Sequence, residues 1–181
     1  MAFPYHSRRS VRLPDFGYSS PGAYFVTICT KDRENLFGEI NDGEMILSRF
    51  GETARKCWQE ILTHYPFIEL DEYVIMPNHI HGILFIRDKI NVGANNHSPI
   101  PIIRSPGWKG SNGTSETIGA VIRGFKIGVT KWSRSNTEIY AIWQRNYFES
   151  VIRNESELNA IRKYIYENPL KWDLDHERNH L

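Results

Sequence analysis

Two runs of strand composition, Phe67 to Met76 and His79 to Arg87, meet at Pro77-Asn78. Proline fixes its own φ and asparagine tolerates turn geometry, so the pair reads as a hairpin or as two adjacent strands. A chain with this centre must build a sheet and find something to cover it. Ala23 to Thr30 (AYFVTICT) is rich in β-branched and aromatic residues and supplies another strand. Asn41-Asp42-Gly43 is a turn signal, with a short strand expected over Glu44 to Leu47. Ser48 is placed to cap a helix running to about His64, in which Ala54, Cys57, Trp58, Ile61 and Leu62 recur at helical spacing.

A second helix is expected over Glu116 to Arg134, with Ile118, Val121, Ile122, Phe125 and Val129 on one side. A strand falls within Trp143 to Arg153. Asn154 then caps a last helix from Glu155 to Asn168, which Pro169 should stop. The order strand, helix, strand, strand, helix, strand, helix is that of two-layer α+β folds of the split βαβ type. The sequence divides into an arm (1–22), one domain (23–172) with a long loop at 88–115, and a tail (173–181). The chain's 181 residues suit one core.

No apolar run approaches the roughly 20 residues of a membrane span. Cys29 and Cys57 form no CxxC and read as free thiols, which points to the cytoplasm. Net charge is +1, but between Gly119 and Lys171 nine basic side chains face five acidic ones. Cations interleaved with aromatic rings suit single-stranded nucleic acid, where phosphates meet the charges and bases stack on the rings. A solvated surface over buried rings has the same composition.

Two motifs carry chemistry. In Pro77-Asn78-His79-Ile80-His81-Gly82, the histidines stand at i and i+2 of a strand and share a face. Two neutral imidazoles can ligate one divalent ion, but a third group and water or substrate oxygens must complete the site. Two histidines on a polar sheet face are the plain alternative. In the last helix, Tyr164 and Asn168 lie about 40° apart, flanking a buried stripe of Leu158, Ile161 and Ile165, while Tyr166 points to solvent. A tyrosine hydroxyl can attack phosphorus when a metal and cations stabilise the charge, and an Asn carbonyl can ligate Mg2+ or Mn2+. A packed tyrosine and a helix-ending asparagine would look the same.

Taken together, VIMPNHIHGILFI, the first stretch RRSVRLPDFGYSSPGAYFVTICTKDRENLFG and the last WQRNYFESVIRNESELNAIRKYIYENPLKW resemble the single-tyrosine HUH transposases of insertion sequences, especially the REP-associated tyrosine transposases. The resemblance covers most of the chain outside 88–115. It implies a ferredoxin-like two-layer sandwich, with an antiparallel sheet and helices on one face. It further implies His79, His81 and Asn168 as ligands of Mg2+ or Mn2+, and Tyr164 as the nucleophile. Cleavage would pass through a 5′-phosphotyrosine, on single-stranded or hairpin DNA, with a monomer or homodimer as the working unit. Arg8, Arg9, Arg12, Gln144, Arg145, Arg153, Arg162 and Lys163 are the candidate DNA contacts. Two other readings remain open: a domesticated hairpin-binding protein without transposition, and an unrelated metal hydrolase pairing the histidines with Asp71 or Glu69.

Overall fold

The computed structural model describes residues 20–87 and 116–178. Four strands form one antiparallel sheet: β1 (Gly22–Cys29), β4 (Ile68–Met76), β5 (His79–Ile86) and β6 (Phe148–Ile152), in the order β4-β5-β1-β6. With α1 (Arg49–Gln59) between β1 and β4, and α3 (Ile118–Asn136) between β5 and β6, this is the ferredoxin-like arrangement. The expected hairpin at Pro77-Asn78 is β4–β5, with Met76 opposite His79. A separate ribbon pairs β2 (Gly38–Asn41) with β3 (Glu44–Leu47) around Gly43, whose φ of 77° suits glycine.

The main core lies between the sheet and the pair α1 and α3. Tyr24, Val26 and Ile28 of β1, and Ile80, Leu84 and Ile86 of β5, face Ala54 and Trp58 of α1 and Val121, Ile122, Phe125 and Val129 of α3. The alternation along β1 and β5 leaves their other side chains for the opposite face. There α4 (Glu155–Arg178) adds a partial third layer, burying Ile165 against Ile83 and Ile152 with Leu158 and Ile161 beside it. The predicted apolar stripe of this helix is the one that packs.

Gly82 has a structural reason. It lies on the main-core face, and a Cβ there would overlap the Trp58 ring. That ring is fully buried and packs edge-on to Phe125 at 5.3 Å. Gly82→Ala should therefore destabilise by about 1–3 kcal/mol through overpacking. A urea midpoint unchanged from the parent would rule this out.

Two expectations need correction. The helix after Ser48 is not continuous to His64: it breaks at Glu60, whose N–H turns to Lys56 and Trp58 carbonyls, and α2 (Ile61–His64) follows. Leu62 is accordingly half exposed (50%) rather than on the core face. The strand expected within Trp143 to Arg153 is β6, and ahead of it Trp143 bridges Thr30 while Gln144 N donates to the Cys29 carbonyl at the end of β1. Trp143 Nε1 also donates to the Lys126 carbonyl and Thr130 Oγ1 of α3, which holds this segment against that helix.

The largest correction is Pro169. It does not end α4, which continues to Arg178. Proline removes the hydrogen bond its N–H would give the Ile165 carbonyl. Contacts beyond it offset that loss. Trp172 packs on His79, Leu170 lies against Gly43 of the β2–β3 ribbon, and Lys171 reaches back across the proline to Glu167 at 2.8 Å. Arg8, Arg9, Arg12 and the loop at 88–115 lie outside the described residues.

Candidate active site

The histidine pair sits at the start of β5, on the face that α4 partly covers. His81 is directly opposite Thr27 of β1, and His79 opposite Cys29. Both imidazoles are buried, at 7% and 5% exposure for His79 and His81. Their Nε2 atoms stand 3.0 Å apart.

Each Nδ1 is held by a neighbour, which decides what Nε2 can do. The Asn78 amide nitrogen donates to the Arg33 carbonyl at 3.1 Å, so its oxygen faces His79 Nδ1, 2.8 Å away. His79 must then carry its proton on Nδ1 and present a lone pair at Nε2. Asn78 is itself anchored, since its carbonyl accepts from Thr30 N and Thr30 Oγ1. The Arg33 carbonyl is delivered by a tight turn in which Asp32 and Arg33 both adopt positive φ, 52° and 59°. His81 Nδ1 lies 2.8 Å from Thr27 Oγ1. A hydroxyl both donates and accepts, so Thr27 accommodates either tautomer of His81.

Burial, with the Arg33 charge nearby, pushes the His79 pKa down to about 4. Burial pushes His81 down to about 3, helped by His79 and Arg33. Both rings are therefore neutral at pH 7, the state that binds metals. The donor set fits a divalent ion. Two adjacent ligands of an octahedral ion at about 2.1 Å stand about 3 Å apart, which matches the observed Nε2 separation. Two ligands do not fill such a shell, and among the described residues no group of three or more His, Cys, Asp or Glu assembles. Asparagine, water or substrate oxygens must supply the rest.

Helix α4 brings the third element. Asn154 caps it, its side-chain oxygen accepting from Glu157 N at 2.8 Å. Tyr164 Oη lies 3.1 Å from His81 Nε2, and its ring is 5.1 Å from the His81 ring. Two turns on, the Trp172 ring is 5.8 Å from the His79 ring. Asn168 occupies the same helix face between them and is half buried. Tyr166 is turned away, 79% exposed. Phe25 completes the wall, stacked on His81 at 5.4 Å and edge-on to Tyr164 at 6.2 Å.

Among the described residues, the predicted cations do not converge on this point. Arg162 grips Asp71 through Nε and Nη2, holding α4 to the irregular middle of β4 and lowering the Asp71 pKa by hydrogen bonding. Lys163 lies 3.7 Å from Glu167 on the exposed side of the helix. Arg153 is exposed ahead of α4. Gln144 and Arg145 are exposed before β6, where Lys126 Nζ fixes the segment by donating to the Gln144 and Asn146 carbonyls. The two carboxylates of the hydrolase reading are engaged elsewhere, Asp71 with Arg162 and Glu69 with Arg87. Sequence reasoning missed Asn78, Thr27, Phe25 and Trp172. The position of Asn78 immediately before His79 was the one local signal available.

No protein-family profile matches the chain. An uncharacterised protein of Haemophilus influenzae strain Rd is 44% identical over 170 residues, covering 94% of this chain and 92% of that protein. A second protein of the same strain, provisionally assigned as a REP-associated tyrosine transposase, is 25% identical across 85% of this chain and 73% of its own length. Among solved structures, a REP-associated tyrosine transposase bound to a REP hairpin superposes with a TM-score of 0.56 at 19% identity, over 83% of this chain and 68% of that one. Among the described residues no helix is long and apolar enough to cross a membrane. The chain belongs to one family with the uncharacterised Haemophilus protein, and its resemblance to the REP-associated tyrosine transposases holds in both sequence and fold.

Proposed function

We propose that the protein cleaves and rejoins single-stranded, hairpin-associated DNA through a covalent bond to Tyr164. The observation that carries this reading is the 3.1 Å approach of Tyr164 Oη to a buried, neutral histidine pair. A hydrolase or a plain binder gives that hydroxyl no task. His79, His81 and Asn168 would hold Mg2+ or Mn2+, which would supply charge stabilisation at a non-bridging oxygen of the scissile phosphate. Tyr164 Oη attacks phosphorus in line. The Oη–P bond forms as the P–O3′ bond breaks, the tyrosyl proton is lost to solvent, and the departing 3′-oxygen takes one up. The phosphotyrosine keeps the phosphodiester energy, so a second 3′-hydroxyl can rejoin the strand without ATP. Helix α4 and strand β5 belong to one chain, and their 3.1 Å contact supports an active site completed within a monomer.

The direct test is a denaturing gel. Incubation with end-labelled hairpin oligonucleotides and Mg2+ or Mn2+ should give a labelled band at the protein's mass that survives SDS. Cleavage without any adduct would favour hydrolysis, and binding without cleavage would favour the domesticated binder. Affinity for single-stranded flanks should also fall with salt, log K losing about 0.7 per tenfold salt for each phosphate contacted. Tighter binding to plain duplex across the salt range would contradict the proposal.

A further inference from the structure

We infer that Phe148 is a stacking platform for an unpaired nucleobase next to the phosphate that Tyr164 attacks. The inference rests on the proposed reaction and adds a substrate contact to it. Phe148 is the first residue of β6, the edge strand of the sheet. It stands directly opposite Thr27, the residue whose hydroxyl meets His81, and so lies on the active-site face. Its ring is 42% exposed. An exposed phenylalanine is ordinary in itself; its surroundings give this one meaning. Its ring neighbour on that face is Phe25, 6.3 Å away and edge-on. Phe25 in turn stacks on His81 and meets Tyr164. Phe148 thus ends an aromatic row that begins at the nucleophile, two ring steps from it.

Helix α4 covers the Ile152 end of β6, where Ile152 is 8% exposed, and leaves the Phe148 end open. A strand whose phosphate sits at Tyr164 can leave the site over this open end. There a π face accepts any base without reading its hydrogen-bonding edge. Duplex DNA presents no free base face along its length, so the contact favours single strands.

The experiment uses the full chain and a fluorescein-labelled hairpin with a randomised ten-nucleotide single-stranded flank, alongside the same hairpin with blunt ends. Anisotropy should show Phe148→Ala losing affinity for the flanked hairpin by roughly 5- to 100-fold, the range of one base–aromatic stack. Phe148→Trp should bind as well as the parent or better, and neither change should alter blunt-hairpin binding. Thermal melting should show both variants cooperatively folded, with Phe148→Ala lowered only by the loss of its edge-on contact with Phe25. A 2-aminopurine next to the adduct position should be quenched by the parent and not by Phe148→Ala. Unchanged binding by Phe148→Ala, or equal loss on both probes, overturns the platform while leaving the cleavage proposal standing. A parent protein that binds neither probe overturns both. An effect confined to oligomeric state, read by sedimentation, would reassign the β6 edge to a second copy and overturn the platform too.

Discussion

Replacing both His79 and His81 by alanine should reduce DNA cleavage to the level seen without divalent metal, while the fold survives. The two rings lie at the opening end of β5, on the face opposite the main core, so their loss leaves the packing of Trp58, Leu84 and Val129 untouched. Their removal takes away the two convergent nitrogens on which the metal proposal rests. A second readout is independent of activity. In the unfolded chain an imidazole titrates near pH 6.5. In the fold His79 and His81 resist protonation until about pH 4 and pH 3. Below pH 6.5 the unfolded state therefore takes up protons that the native state refuses. This contribution to stability is complete above pH 6.5 and is lost as pH falls. For His79 alone the loss at pH 4 is on the order of 3 kcal/mol. The double variant should have a flatter stability profile than the parent between pH 6.5 and 4. Metal-dependent cleavage at the parent rate in that variant would refute the ligand assignment. Parallel acid profiles would show that these rings are not held neutral by burial.

What the sequence revealed followed from periodicity. The i, i+2 rule placed His79 and His81 on one face of β5, and the 3.6-residue period put Ile161 and Ile165 toward the sheet and Tyr166 toward water. Both are properties of a single element and need no knowledge of its partners. What remained hidden depends on register between elements. Thr27 meets His81 because β1 and β5 pair at that position, which neither strand's pattern states. Phe25 joins the site by the same pairing. Arg162 looked like a phosphate contact as a cation near Tyr164, yet it is paired with Asp71, 91 residues away. Pro169 shows the same limit from the other side. The local rule that proline ends a helix is sound, and tertiary contacts of Leu170 and Trp172 override it. The consequence is functional, because the turn carried past the proline lays Trp172 against His79.

Tyr164→Phe should remove cleavage and the SDS-stable adduct, by at least about a thousandfold, the scale expected when a nucleophile is deleted. Three tyrosines lie between residues 147 and 166, so the choice among them needs reasons. Tyr147 Oη donates to Glu149 at 2.5 Å, and its ring packs against the main core, on the far side of the sheet from the histidines. Tyr166 is 79% exposed, two residues along α4 and pointing away from the sheet. Tyr164 alone brings its hydroxyl within 3.1 Å of His81 Nε2, and at 44% exposure it is also open to a substrate. Phenylalanine keeps the ring contacts to His81 and Phe25 and deletes only the oxygen. The stability cost should therefore be that of one partly exposed hydrogen bond, about 0.5–1 kcal/mol. DNA binding should persist, because the cations and aromatic surfaces remain. Tyr147→Phe and Tyr166→Phe should still form the adduct. Peptide mass spectrometry of the parent adduct should place the DNA on the peptide containing Tyr164, with fragmentation assigning it to that residue. Undiminished cleavage by Tyr164→Phe, or DNA attached to Tyr166, would mean that the 3.1 Å contact with His81 is structural and that α4 must turn to present a different side chain.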